Sequence, residues 1–243
     1  MYQGYVRGNG DNAWAGSIAR GLENRSLKWE TTDTKNFGFD YAMLNNRLTG
    51  SLNYYYNQTE DLLIIKVLPP SAGLNNPILN VGKMRNTGIE FETNWREQRG
   101  DFGYSLGLNL STTSNKVLSL ADEGQALFGE GLKFGTEHFP TQTRVGKPIG
   151  GFYLYKTDGI FQSNEESRNY VNADGERYQP YADAGDIKFV DSNGDGVIDD
   201  KDKVYCGSGI PNLEVNLNFA FDYKGFDLSA VIGSIWGHKI YNG

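Results

Sequence analysis

Apolar side chains recur at every second position in three separated stretches of the sequence. In residues 35–44, KNFGFDYAML, Phe37, Phe39 and Tyr41 alternate with Gly38, Asp40 and Ala42; in residues 48–56, LTGSLNYYY, Leu48, Leu52, Tyr54 and Tyr56 alternate with Thr49, Ser51 and Asn53. A period of two puts alternate side chains on opposite faces of a strand, and Asn45-Asn46 between the runs tolerates the left-handed backbone of a tight turn. This predicts a β-hairpin. A second hairpin is predicted where Ile89, Phe91, Thr93 and Trp95 lead through REQRGD into Phe102, Tyr104, Leu106, Leu108 and Leu110, interleaved with Gly103, Ser105, Gly107 and Asn109. A third joins Val215, Leu217, Phe219, Phe221 and Tyr223 through Lys224-Gly225 to Phe226, Leu228, Ala230 and Ile232.

The connections between these hairpins are of another kind. Residues 57–86, rich in Pro, Asn and Gly, and residues 111–212 read as long loops, whereas the turns inside each hairpin are short. A soluble sandwich carries modest connections at both ends. An up-and-down membrane barrel has the observed asymmetry, with tight periplasmic turns, long extracellular loops, and strands with one greasy and one polar face. The polar faces hold Asn, Ser, Gly, Thr and Asp, with few Lys and Glu, which suits a wet lumen. Pattern alone leaves two all-β readings open, an antiparallel membrane barrel and a soluble sandwich or lectin-like domain.

Composition narrows the function more than the fold. The 15 tyrosines and 31 glycines favour strands and tight turns. A net charge of −7 and a pI near 4.9 give no attraction for phosphate backbones, so nucleic acid is excluded as a partner. One cysteine, Cys206, makes no internal disulfide, and His138 and His238 have no metal-ligating neighbours in sequence. No apolar run reaches the roughly 20 residues of a spanning helix. The opening MYQGYVRGNGDNAWAG carries no signal-peptide pattern.

Candidate chemistry is concentrated in DSNGDGVIDDKD, residues 191–202. Asp191, Asn193, Asp195, the Val197 carbonyl, Asp199 and Asp202 follow the oxygen-donor spacing of a calcium loop, with Gly196 at the sharp turn. Asp202 stands where a sensor loop has a longer glutamate and no long helices flank it, so the expected role is a static, structural Ca2+ site. A solvated Asx-rich turn is the alternative. Tyr54, Tyr55, Tyr56, Trp29 and Trp95 read as an interfacial aromatic girdle rather than a sugar-stacking platform, and Tyr153, Tyr155, Tyr170, Tyr178 and Tyr181 as loop positions able to touch a substrate or partner, with packing within the loop the commoner role for any one of them. No catalytic constellation is present. Glu165 and Glu166 are adjacent, His138 has no recognisable nucleophile partner, and GNGDNA near the start follows no predicted strand.

Four phrases give the sequence a family likeness: LKWETTDTKNFGFDYAMLNNRLTGSLNYYYNQTEDLL (27–63), VGKMRNTGIEFETNW (81–95), VGKPIGGFYLYKTDGIFQ (145–162) and the stretch from GDIKFVDSNGDGVIDDKD to GHKIYN (185–242). In order and spacing they resemble the SusC/RagA-type TonB-dependent outer-membrane transporters of Bacteroidetes. The resemblance implies that residues 1–243 are part of a 22-stranded barrel, with 111–212 as a long extracellular loop region and with the plug domain and signal peptide lying outside the sequence. It also implies import of oligosaccharides or peptides across the outer membrane, a SusD-like surface lipoprotein as partner, energy from the TonB complex through an N-terminal part, contact with outer-membrane lipid, and no enzymatic activity. Cys206-Gly207-Ser208-Gly209-Ile210-Pro211 departs from the Ile-Gly-Asn-Pro-like turn usual at that place. A soluble, calcium-stabilised carbohydrate-binding sandwich is the alternative function.

Overall fold

The computed structural model describes residues 2–7, 13–18, 24, 26–66, 71, 75–120, 126–128 and 140–242. The GNGDNA string, apart from its final alanine, and His138 lie outside the described residues. The chain forms two compact units, the first comprising residues 1–125, 144–147 and 212–235, the second residues 126–143, 148–211 and 236–243.

In the first unit, β1 (Tyr2–Arg7) and β2 (Ala13–Ile18) pair as a hairpin. The main sheet contains β3 (Thr31–Met43), β4 (Leu48–Ile65), β5 (Ile78–Arg99), β6 (Phe102–Thr112) and β7 (Ser114–Ser119). Beyond the short strands of the second unit come β14 (Leu213–Tyr223) and β15 (Phe226–Trp236). The antiparallel order is β15-β14-β6-β5-β4-β3, and β7 pairs with β5 along the edge already used by β6. Among the described residues the sheet is open, with β15 and β3 at its edges.

All three predicted hairpins are present. Met43 pairs with Leu48, Leu48 with Trp95, Arg99 with Phe102 and Phe102 with Tyr223, so the three tight turns share one end of the sheet. Their chemistry explains their tightness. Lys224 and Gly225 both have positive φ, as a right-twisted two-residue hairpin requires. The first turn is wider than the asparagine pair suggests, spanning residues 44–47, and Leu44 joins Asn45 and Asn46 in the left-handed region.

The strands run further than the alternation does. β4 extends to Ile65 and β5 starts at Ile78, so residues 57–65 and 78–86, expected as loop, belong to the ladder. Periodicity fails there because runs replace alternation, polar over residues 58–61 and apolar over 62–65, and the register shifts between Thr59 and Leu63. The described residues of 111–212 likewise carry strands, β7 and those of the second unit.

Register places the apolar set on one face. Phe39 pairs with Leu52, Leu52 with Phe91, Phe91 with Leu110 and Leu110 with Val215. Phe37, Phe226 and Leu228 are at least 60% exposed, so this face needs an apolar covering. On the other face Tyr55 lies over Gly88, its hydroxyl 3.2 Å from the Thr112 carbonyl it donates to. A ring crossing a strand glycine in this way covers backbone that has no side chain of its own.

In the second unit, β8 (Leu127–Phe128), β9 (Thr141–Thr143), β10 (Gly151–Tyr155) and β13 (Lys203–Gly207) form a sheet of order β13-β10-β9-β8, while β11 (Thr157–Ile160) pairs with β12 (Ile187–Phe189). A short helix, α1 (Asn164–Asn169), is capped by Ser163, whose side chain accepts from the Glu166 amide. Tyr153, Phe161 and Ala182 are buried here, and Arg177 ties the core by donating 2.8 Å bonds to Ser167 Oγ and the Ala182 carbonyl.

Candidate functional site

Two surfaces carry the chemistry, one in each unit. The first is the polar face of the large sheet. Alternate residues of β3, β4 and β5 bring Thr34, Asn36, Asn53, Tyr55, Asn57, Asn86 and Glu90 together with Thr113 around an open groove of about 670 Å³. Asn57 pairs with Asn86, and Asn115 donates to Asn86 Oδ1 at 2.6 Å. The Asn57 Oδ1 atom is buried and has no hydrogen-bond partner. Carboxamides offer a donor and an acceptor side by side, which matches the hydroxyls of a sugar or the amides of a peptide. A buried acceptor left open is costly until a ligand or water donates to it.

The opposite face at the turn end is interfacial in character. Trp95 Nε1 donates to the Tyr104 hydroxyl at 3.3 Å, and that hydroxyl donates to Glu97 Oε2 at 2.8 Å. Glu97 Oε1 also meets Arg99 at 2.8 Å and Arg47 at 3.3 Å. Amphipathic rings and paired charges of this kind suit a boundary between apolar and aqueous surroundings. Trp95, read above as a girdle residue, stands on this face near the turns. The Tyr54–Tyr56 run splits, with Tyr54 and Tyr56 on this face and Tyr55 on the groove side.

The second surface is the acidic loop of the second unit. Asp191 accepts the Gly194 amide at 2.6 Å and the Gly196 amide at 2.8 Å, which both glycines permit by adopting positive φ. Asp202 is fully buried and accepts the amides of Ser192 at 2.7 Å, Asn193 at 3.2 Å and Asp199 at 2.7 Å. Asp195 accepts from Val197 N, and Asn193 from Asp195 N. Lys201 Nζ stands 3.2 Å from Asp199 and 3.9 Å from Asp195. All six expected ligand residues thus belong to one compact turn. Among the described residues, no three His, Cys, Asp or Glu side chains converge as a metal-binding group. The signal missed in the sequence is Asn172, whose Nδ2 donates to the Gly196 carbonyl at 3.0 Å and braces the loop from outside. The Asx-turn string NADG at 172–175 carries it.

The loop's electrostatics have a pH signature. Burial pushes the Asp191 carboxyl up, but the Gly196 and Gly194 amides outweigh it and hold the group below the usual carboxylate range. The Lys201 amide and ammonium do the same for Asp199. A depressed carboxylate adds stability above its unfolded value, near pH 4, and that stability is lost as pH falls through the lower folded value. Exchange of the Gly194 and Gly196 amides, corrected for intrinsic rates, is expected to be flat from pH 7 to 5 and to accelerate below about pH 4.

Of the five tyrosines read as contact positions, four are engaged within the unit. Tyr153 is buried beside Tyr205. Tyr155 donates to Asp200 at 3.1 Å, and burial followed by that bond pushes its phenol up to about 12. Tyr170 donates to the Phe189 carbonyl and packs 4.9 Å from Tyr178. Only Tyr181, 97% exposed, projects freely among these five.

Comparison with known proteins bears on the sheet. The family model described as "TonB dependent receptor-like, beta-barrel" matches residues 1–205. The chain is 33% identical over 238 residues to TonB-dependent receptor P3 of Formosa agariphila, covering 96% of this chain and 23% of that protein. It is 27% identical over 224 residues to TonB-dependent receptor SusC of Bacteroides thetaiotaomicron, covering 90% of this chain and 20% of that protein. In fold it is similar to the RagAB peptide importer in its "open-open" state, with a TM-score of 0.69, 21% identity, and coverage of 98% of this chain and 24% of that one. The chain spans less than a quarter of the length of each.

Proposed function

The chain belongs to the TonB-dependent receptor-like β-barrel family, a family of outer-membrane receptors and transporters rather than enzymes, and from that premise we propose that it forms part of the wall of an importer for oligosaccharides or peptides. The observation that carries this reading is the two-faced sheet: apolar side chains in register across β3, β4, β5, β6 and β14 on one face, and a carboxamide-lined groove on the other. The apolar face meets lipid and the groove faces the lumen. The tight turns then lie on the periplasmic side, and the long connection from β7 to β14 on the extracellular side. There the second unit would meet a SusD-like lipoprotein, and the TonB complex would supply energy through a plug domain. The soluble-sandwich alternative leaves the exposed apolar face uncovered.

Deleting the gene in its host is expected to abolish growth on one class of oligosaccharide or peptide. Dissipating the proton gradient is expected to stop uptake of the same class by wild-type cells. Uptake of every glycan and peptide tested at the wild-type rate in the deletion strain would contradict the importer reading.

For the acidic loop, we propose a structural Ca2+ ion held by Asp191, Asn193, Asp195, the Val197 carbonyl, Asp199 and Asp202. Support comes from the bond between Asp191 and the Gly196 amide, which fixes the turn about which the donors are spaced. The ion would replace Lys201 as the cation facing Asp195 and Asp199. Calorimetric titration of the intact protein with CaCl2 is expected to give one site that Asp195→Ala weakens at least tenfold. Equal heats from both proteins would leave the loop as a hydrogen-bonded turn alone.

A further inference from the structure

Just beyond the apolar band, the same face of the sheet carries a row of cations. From Arg99 beside the turns to Ile89 this face of β5 extends ten residue steps, about 33 Å of strand; its turn end carries the paired Glu97 and Arg99, and its apolar residues are Trp95, Phe91 and Ile89. The next position on this face is occupied by Lys35 on β3, paired with Tyr56 on β4, which pairs with Thr87 on β5. One step further Gln58 pairs with Arg85, and Arg85 with Lys116 on β7. At about 5 Å per strand, the three cations spread over roughly 15 Å.

Three observations distinguish this row from a solvated surface. Lys35 Nζ and the Arg85 guanidinium stand 5.7 and 5.9 Å from the centroid of the Tyr56 ring, which holds both in place. Among the described residues, neither these two nor Lys116 is in an ion pair, whereas neighbouring Lys83 is committed to Glu60 at 2.6 Å. Asp33 is the other carboxylate on this face at this level, and the net charge of the group Lys35, Lys83, Arg85, Lys116, Asp33 and Glu60 is positive in a chain of net charge −7. Finally, the residues next in sequence on the opposite face are Asn36, Asn57, Asn86 and Asn115. At this level of the sheet the same four strands thus place cations only on the apolar side; the groove-face cation of β5, Arg96, lies near the tight turns.

We propose that Lys35 and Arg85, held on the Tyr56 ring, bind with Lys116, the strand neighbour of Arg85, the phosphate of an anionic lipid headgroup in the leaflet remote from the tight turns. Cations next to an apolar band match the two parts of such a lipid, its phosphate and its acyl chains. This rests on the reading above that the apolar face meets lipid.

The test uses the intact protein that carries this sequence, extracted from the host membrane in detergent and analysed by native mass spectrometry for retained lipid. Wild type is expected to retain a phosphorylated lipid, and K35Q/R85Q/K116Q to lose at least fivefold of it. K116Q alone, at an exposed position, loses part, and N36D on the groove side loses none. Equal retention by wild type and the triple variant, with both recovered in the outer membrane, would overturn the lipid site and leave the barrel reading standing. Recovery of the wild type in a soluble fraction would overturn both. Inorganic phosphate titrated by calorimetry separates the sources: saturable binding that the triple variant loses would assign the row to a soluble anion, against the proposal. No measurable heat supports a lipid.

Discussion

Asp202→Ala is expected to cost the second unit about 4 kcal/mol, because three backbone N–H groups lose their only common acceptor and each unsatisfied buried donor costs roughly 1–3 kcal/mol. The carboxylate is completely buried and receives Ser192, Asn193 and Asp199 amides at 3.2 Å or less. It also closes the reciprocal cap in which the Asp199 side chain accepts from the Asp200–Asp202 turn while Asp202 accepts the Asp199 amide. Asp202→Asn keeps the shape but exchanges one acceptor oxygen for a donor, so it falls between wild type and alanine. Proteolysis of the intact protein in the 191–202 segment, with amide exchange at 192, 193 and 199, reads the effect. An alanine variant as protected as wild type would mean that another group accepts these amides.

Gly88→Val is expected to reduce the folded sheet by about 3 kcal/mol or more, the upper range for overpacking against groups that cannot move. A β-carbon at Gly88 would collide with the Thr112 carbonyl and with the Tyr55 ring. The ring can swing away, but the carbonyl belongs to the end of β6. Tyr55→Ala introduced with Gly88→Val therefore restores only part of the loss. The fraction of protein that migrates as heat-modifiable folded barrel, and its midpoint in urea, measure this. Wild-type assembly of the valine variant would show that Tyr55 and β6 shift freely.

How far the sequence could be read depended on where the two faces differ. Between Leu48 and Tyr54, or Phe102 and Leu110, an apolar and a polar set alternate, and the hairpins could be read directly. Beyond Asn57 and before Thr87 the alternation gives way to runs, polar from Gln58 to Asp61 and apolar from Leu62 to Ile65, and the register shifts between Thr59 and Leu63. There the strands are held by their ladder rather than by contrasting surroundings, so they read as loop. The second unit was hidden for another reason. Its strands are three to five residues long, apart from the two-residue β8, too short for a period to emerge. The spacing of the acidic loop was legible to the residue, whereas the inward turn of Asp202 and the brace from Asn172 depend on contacts that no local spacing encodes.

The central claim is that one face of this sheet meets lipid and the other water. Single cysteines in a Cys206→Ser background test it most directly, since Cys206 is exposed. In the intact protein in its membrane, Ser51→Cys and Asn53→Cys are predicted to react with a membrane-impermeant maleimide once the outer membrane is permeabilised. Leu52→Cys and Tyr54→Cys, carrying a fluorophore, are predicted to be quenched by a nitroxide in the acyl chains. Water-phase labelling of all four positions, with no quenching from the lipid, would contradict the account.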